Sequence, residues 1–486
     1  MKKIIIATIF GFLVVNISAQ TTFFRWFPYS QNKSINNVIE VNNKSYLLSG
    51  SRFEETVSLN SAYLLKIDSS GSFISENINF VENANSSNTI LFSLPSDSNS
   101  INVLNSQKFV SDSTSFNVLS FEKYSMCDFE LMNNRSYTTP MNKLFLPQSV
   151  IVVDSSIFVQ SIIVNHLIAP IGFMVSKYNF NFDSITTYMS YENLVTAFGI
   201  INDSISLKIK NFTLTNRVEL KCLNYDLSLN DSSNISFGLF ANASVALNKN
   251  NYILTGMTTS LNWPKEHIKV GLFNMNNELV DSVSYRNHPD SVLYCSSVTN
   301  TAVVGNQIFV VGNYHFNPSQ FPWQSHPTCI QITIMDTSLN IIGHHFYGGD
   351  AVYMPHKIIS TSDGGALIVG NRYDHTNPSV RLYHPFALKI NNQGLVVAEI
   401  EDQDYPVSYS AIVFPNPGKE FLHLTSGIQL NNGIFTLYDI RGRPVLTKEI
   451  IATEMQFDTS NLASGMYVWR IVRNNKVMDS GKWVKE

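Results

Sequence analysis

The chain has 486 residues and a formal net charge of −4. That length allows two or more domains, and the charge balance leaves no basic footprint for nucleic acid. Only 14% of residues are charged, against roughly 25% in ordinary soluble chains. With 12% aromatics and Asn- and Ser-rich turns, the pattern is that of an all-β protein.

Lys2-Lys3, an apolar run from Ile4 to Val15 and the small residue Ala19 predict a secretory signal peptide over 1–19. The run is too short to span a bilayer comfortably; an N-terminal membrane anchor is the competing reading. No later segment reaches transmembrane length. The stretch Thr22 to Phe27 then reads as a strand that closes a ring by pairing with the last of a series of repeats, since closure removes exposed sheet edges.

The repeats are marked by an apolar strand that ends in a polar position and a tight turn. That position falls at Asp68, Ser125, Asn179, Asp226, Asn274, Asp336 and Asn391, a period of about 54 residues. Upstream strands such as Tyr46–Gly50, Tyr252–Gly256, Ile308–Gly312 and Ala366–Gly370 follow short Asn/Asp/Gly turns. These turn residues tolerate the positive φ of tight hairpins. Each unit reads as strand a, tight turn, strand b, long variable loop, strand c, Asp/Asn turn, strand d. Four antiparallel strands make one propeller blade. The expectation is a seven-bladed β-propeller over 20–405, with a β-sandwich array or a β-solenoid as alternatives and a blade count uncertain by one.

The long b–c loops emerge together on one face, and three carry aromatic and imidazole residues. They supply the candidate ligand-binding residues Trp263, Tyr314, His315, Trp323, Arg372, Tyr373 and His375. Aromatic side chains of this kind give large contact area at low entropic cost. The competing reading is that they only pack the loops onto the blades. No G-x-S-x-G elbow, H-E-x-x-H, P-loop or G-x-G-x-x-G occurs, so no catalytic residue and no cofactor is assigned. Thr361-Ser362-Asp363-Gly364-Gly365 reads as a structural hairpin. Cys127, Cys222, Cys295 and Cys329 are too scattered for a disulfide framework, and no metal site is assigned.

After a linker at 406–413 comes a separate β-unit at 414–486, expected as a small Ig-like sandwich of six or seven strands. It contains Phe414-Pro415-Asn416-Pro417-Gly418, Leu437-Tyr438-Asp439-Ile440-Arg441-Gly442-Arg443, Leu462-Ala463-Ser464-Gly465-Met466-Tyr467-Val468 and Lys482-Trp483-Val484-Lys485-Glu486. In order and spacing these motifs resemble the type A C-terminal sorting domain of Bacteroidetes cargo proteins of the type IX secretion system. The motif positions are Pro415, Asn416, Pro417, Asp439, Gly442, Gly465 and Tyr467. The repeats resemble divergent propeller repeats of Bacteroidetes surface proteins. The resemblance implies handling by the type IX machinery and passage through the periplasm to a secreted or surface-attached form. It implies no activity. The expected function is a secreted binding protein with the propeller as platform for a glycan or peptide; the alternatives are a secreted propeller hydrolase on such substrates and a purely structural role.

Overall fold

The computed structural model describes residues 21–396 and 411–486, apart from short connecting segments that include 211–216, 259–266, 286–292 and 317–324. The expected signal peptide lies outside the described residues.

Residues 33–79 form a sheet of four antiparallel strands in chain order: Lys33–Val41, Ser45–Glu54, Leu59–Ile67 and Phe73–Asn79. The same meander recurs over 84–138, 143–190, 194–236 and 240–285. The sixth sheet, 293–348, differs only in its inner strand, which is split into Leu293–Cys295 and Thr301–Val304 on one partner, Gln307–Tyr314. The seventh has three strands of its own, Val352–Ser360, Ala366–Tyr373 and His384–Ile390, and takes Phe23–Trp26 as the fourth. The ladder runs from Phe23 opposite Lys389 to Trp26 opposite Phe386. The strand anticipated as a closing device closes the last sheet.

Apolar side chains on both sides of each sheet pack on the next sheet. Leu47, Leu64 and Ile101 join the first sheet to the second, and Phe121 and Tyr178 join the second to the third. Phe173 with Leu223, Ile235 with Tyr252, and Ile268 with Phe346 continue the series. Tyr347 with Phe386 links sixth to seventh, and Leu367 with Tyr46 returns to the first. Successive four-stranded meanders packed face to face, with the first strand of the chain completing the last sheet, are a β-propeller.

The recurring polar position works as a turn cap. Asp68 Oδ1 accepts the backbone N–H groups of Ser70 and Ser72 at 2.8 Å each, and Asn179, Asn274, Asp336 and Asn391 make the same pair of bonds two and four residues on. Three residues after the cap the backbone turns left-handed. Gly71 and Gly394 do so freely, but Phe182, Leu339 and Leu227, which follows Asn224 and not the expected Asp226 by three residues, stand there at φ near 63–69°. Such a conformation costs a non-glycine residue roughly 1–2 kcal/mol. Burial offsets it: Phe182 is 1% exposed, Leu227 5% and Leu339 4%, each in a cluster between two sheets.

A second repeat shows only in the structure. The inner strand of six sheets carries a bulge at the same place, at Asn36, Ser87, Gln148, Thr196, Asn242 and His356. The extra residue sharpens the twist of the strand that lines the middle of the ring.

Asp363 in the a–b turn of the seventh sheet is paired at 3.0 Å with Lys389, and both side chains are almost fully buried. Thr361 Oγ1 and the Gly365 amide also donate to this carboxylate, so the segment is the structural hairpin expected. Lys389→Met is expected to cost about 3–5 kcal/mol, because it strands a buried charge. Lys389→Met/Asp363→Asn recovers part of that loss in urea denaturation; a double variant no more stable than the single one would refute the pairing.

The second unit comprises two sheets, one of Ala411–Phe414, Phe421–Ser426 and Glu454–Asp458, the other of Ile434–Tyr438, Pro444–Glu449, Gly465–Arg473 and Lys476–Lys485. Leu422, Phe435, Trp469, Ile471 and Trp483 fill the space between them. Residues 411–413, expected in the linker, belong to the first of these strands. The motif residues are structural staples. Trp483 Nε1 donates to the Pro415 carbonyl at 2.7 Å, and the Val484 amide donates to Asn416 Oδ1 at 2.9 Å. Asp439 caps the turn of Gly442 by accepting from the Arg441 and Arg443 amides, and Tyr467 Oη donates to the Ala463 carbonyl.

Candidate functional site

In each meander the b–c loops and the links between sheets share one rim. On the seventh sheet that rim carries a cross-strand row, because Tyr353 is opposite Arg372 and Arg372 is opposite His384. Trp26 is opposite Phe386, which alternation along the strand puts on the same side as His384, so the indole joins the row. The link from the sixth sheet adds Asp350.

Arg372 is the centre of this cluster. Its Nη2 lies 2.9 Å from Asp350 Oδ2, its Nε donates to Tyr353 Oη at 3.1 Å, and Tyr353 Oη donates to Asp350 Oδ1 at 2.9 Å. The guanidinium carbon sits 4.3 Å from the centre of the Trp26 ring and 5.7 Å from that of Tyr353. The Arg372 side chain is 13% exposed, whereas Trp26 is 38% exposed. A cation held between rings and away from water contributes up to about 2 kcal/mol, so the guanidinium fixes the indole from behind. His384 lies 5.6 Å from Trp26, ring centre to ring centre. Burial first, and then Arg372, pulls its pKa down. Burial also lowers the pKa of His375, which stands within electrostatic reach of Asp374, His326 and Asp350. Both imidazoles are therefore biased to the neutral form. Burial, and next the Asp350 charge, holds the Tyr353 hydroxyl protonated.

The expected binding residues do not all meet here. Arg372 belongs to the cluster, and His375 lies within electrostatic reach of it. Tyr314 is 5% exposed and packed edge-on against Phe346, and Tyr373 is 2% exposed among Phe316, Val352 and Met354. Those two rings support the loops and are not offered to a ligand. His315 stacks on Tyr314, and its carbonyl accepts a hydrogen bond from His326 Nε2 at 2.7 Å. Trp263 and Trp323 lie outside the described residues. Trp26, Asp350 and Tyr353 were not named from the sequence. The signal for Trp26 was available, since a closing strand must end at the b–c rim of the last sheet.

Among the described residues no group of three or more His, Cys, Asp or Glu is placed to hold a metal ion. Cys222 and Cys329 are free thiols. The strand that separates Cys295 from Cys329 is Gln307–Tyr314.

No curated protein matches the chain. Solved structures similar to it include the WD40 domain of SCAP from fission yeast, at 11% identity and a TM-score of 0.38 over 76% of this chain and 98% of that one. The β-propeller domain of the Trilobed protease from Pyrococcus furiosus is 8% identical, with a TM-score of 0.43 over 75% and 97%. A Synechocystis apocarotenoid oxygenase is 7% identical, with a TM-score of 0.43 over 78% and 92%. Likeness this loose bears on no ligand and no reaction. Residues 412–486 match the family described as secretion system C-terminal sorting domain, and the seven motif residues fall within that span. The chain therefore carries a sorting domain of the type IX secretion system and is cargo of that system.

Proposed function

We propose that this exported protein is a binding protein whose propeller offers the rim between its sixth and seventh sheets to a glycan or peptide. The seven sheets are then seven blades over 20–405, after a signal peptide at 1–19. The unit at 414–486 is an Ig-like sandwich that takes the chain through the periplasm to the cell surface or the medium. The observation that carries the reading is the Trp26–Arg372–Tyr353–Asp350 stack, a half-exposed aromatic face held rigid before any ligand arrives. A prefixed ring loses little freedom on binding. The charge of Arg372 is compensated within the cluster, and the neighbouring imidazoles are biased to the neutral form, which favours a neutral sugar over a charged peptide. Asp350 and Asp374 are both engaged, by Arg372 and by Thr376, which favours binding over hydrolysis. The test is an array of glycans and peptides probed with the mature chain. Binding to a saccharide subset that falls at least tenfold, about 1.4 kcal/mol, in Trp26→Ala with unchanged thermal melting is the expected result. Wild-type protein that binds nothing on the array overturns the platform.

A further inference from the structure

The first strand of the sorting domain does not stand clear of the propeller. Phe414 packs against the cluster that contains Tyr314, Cys329 and Phe346. At that point the sixth blade ends in Gly348 and Gly349, at φ of +94° and +92°. A Cβ on Gly349 would come within 2.9 Å of the Phe414 ring and 3.3 Å of Cys329 Sγ. The ring thus lies where a side chain on residue 349 would have to be. The link is held in that shape from below. Thr328, fully buried, accepts the Gly349 amide on its carbonyl at 3.1 Å and donates its own amide to the Ala351 carbonyl at 3.0 Å. Its hydroxyl donates to the Tyr353 carbonyl at 2.9 Å and accepts the Tyr353 amide at 2.8 Å. Beside Phe414 a cavity of about 300 Å³ is lined from both units, by His315, Pro327 and Gly349 on one side and His423, Leu424 and Met455 on the other.

We propose that this part of the rim is a seat built for the chain's own sorting domain, with Phe414 as the residue that fits it and Gly349 as the residue that admits it. The precursor then carries its address in a fixed position on the propeller. Since Asp350 follows Gly349, the seated domain stands beside the Arg372 cluster, and a chain that has lost it presents a wider rim.

Hydrogen exchange and small-angle scattering on the full chain test this. Wild type should be compact, with slow exchange at the Thr328, Gly349 and Tyr353 amides. Phe414→Asp should raise exchange there about tenfold or more and enlarge the radius of gyration. Exchange within 434–438 and 465–471 should stay slow, which separates release from unfolding of the sorting domain. Gly349→Leu should release the domain from the propeller side, and it decides the matter where Phe414→Asp does not fold. A wild type already as extended as Phe414→Asp, or a Gly349→Leu chain as compact as wild type, overturns the seat.

Discussion

Deletion of residues 22–27 is expected to abolish cooperative unfolding of the propeller, the largest effect of any short change in the chain. Alternate residues of this strand bury against both neighbours. Phe23, 5% exposed, joins Tyr46 and Leu367 between the seventh and first sheets, and its ring lies so close to Gly71 that no Cβ would fit there. Phe24 meets Tyr347, Tyr353 and Phe386 on the other side. Phe23→Ala alone is expected to cost about 3–5 kcal/mol, as a large aromatic removed from a packed core. Deletion adds the loss of the whole ladder on His384–Ile390 and leaves that strand as an open edge. The seam beside it is also polar: the Ile35 amide donates to Asn371 Oδ1 at 2.7 Å, and Lys357 Nζ to Asn37 Oδ1 at 2.6 Å. Urea denaturation followed by circular dichroism reads the outcome. A deletion variant with the wild-type midpoint and slope would mean that the ring does not depend on its closing strand.

Acid is expected to weaken the fold well above the range where carboxylates titrate. Burial lowers His344, His345 and His356 to about 4 from an ordinary value of 6.5. His344 faces Thr333 and Tyr285, His345 packs on Gly394, and His356 Nε2 meets Asn371 Nδ2 at 2.9 Å. All three are neutral in the folded chain. As pH falls through 6.5 the unfolded chain takes up protons that the folded chain refuses, so stability is full above that value and drains away until about pH 4. At pH 5 each such imidazole removes about 2 kcal/mol. Asp68, Asp226 and Asp336, whose pKa values are lowered by hydrogen bonds in their turns, push the same way only below pH 4. Urea midpoints at pH 7.5 and pH 5 should therefore differ strongly, and His345→Gln should reduce the difference by about a third. Equal midpoints would show that these rings reach water.

The repeat was legible because its cap has a chemical requirement. A side-chain oxygen must accept two backbone amides, so Asp or Asn recurs at 68, 179, 274, 336 and 391; in the fourth turn the equivalent position is Asn224, two residues before the expected Asp226, which accepts the Ser228 amide. Ser125 departs from the pattern, and its turn is one residue longer, with Phe129 at positive φ. The left-handed residues Phe182, Leu227 and Leu339 were not legible, since an apolar residue after a turn looks like the start of the next strand. The bulges were hidden for a different reason: they shift a register, and register is a relation between strands. The site suffered from the same blindness. Arg372 and His375 stood out by type, but the partners that give Arg372 its role come from the preceding sheet link and from the far end of the chain. Tyr314 and Tyr373 have the right chemistry on the wrong side of their strands.

The clasp within the sorting domain has a further consequence. Pro415, Asn416 and Gly418 at its start hold Trp483, Val484 and Glu486 at its end, with the Gly418 amide donating to the Val484 carbonyl and the Glu486 amide to the Gly418 carbonyl, each at 2.8 Å. Residues 483–486 are thus part of the element that carries the address. A chain that lacks the strand Lys476–Lys485 also lacks the indole that fills the core between the two sheets, so it cannot display a finished label. The clasp thereby makes display of the address depend on both of its ends being present.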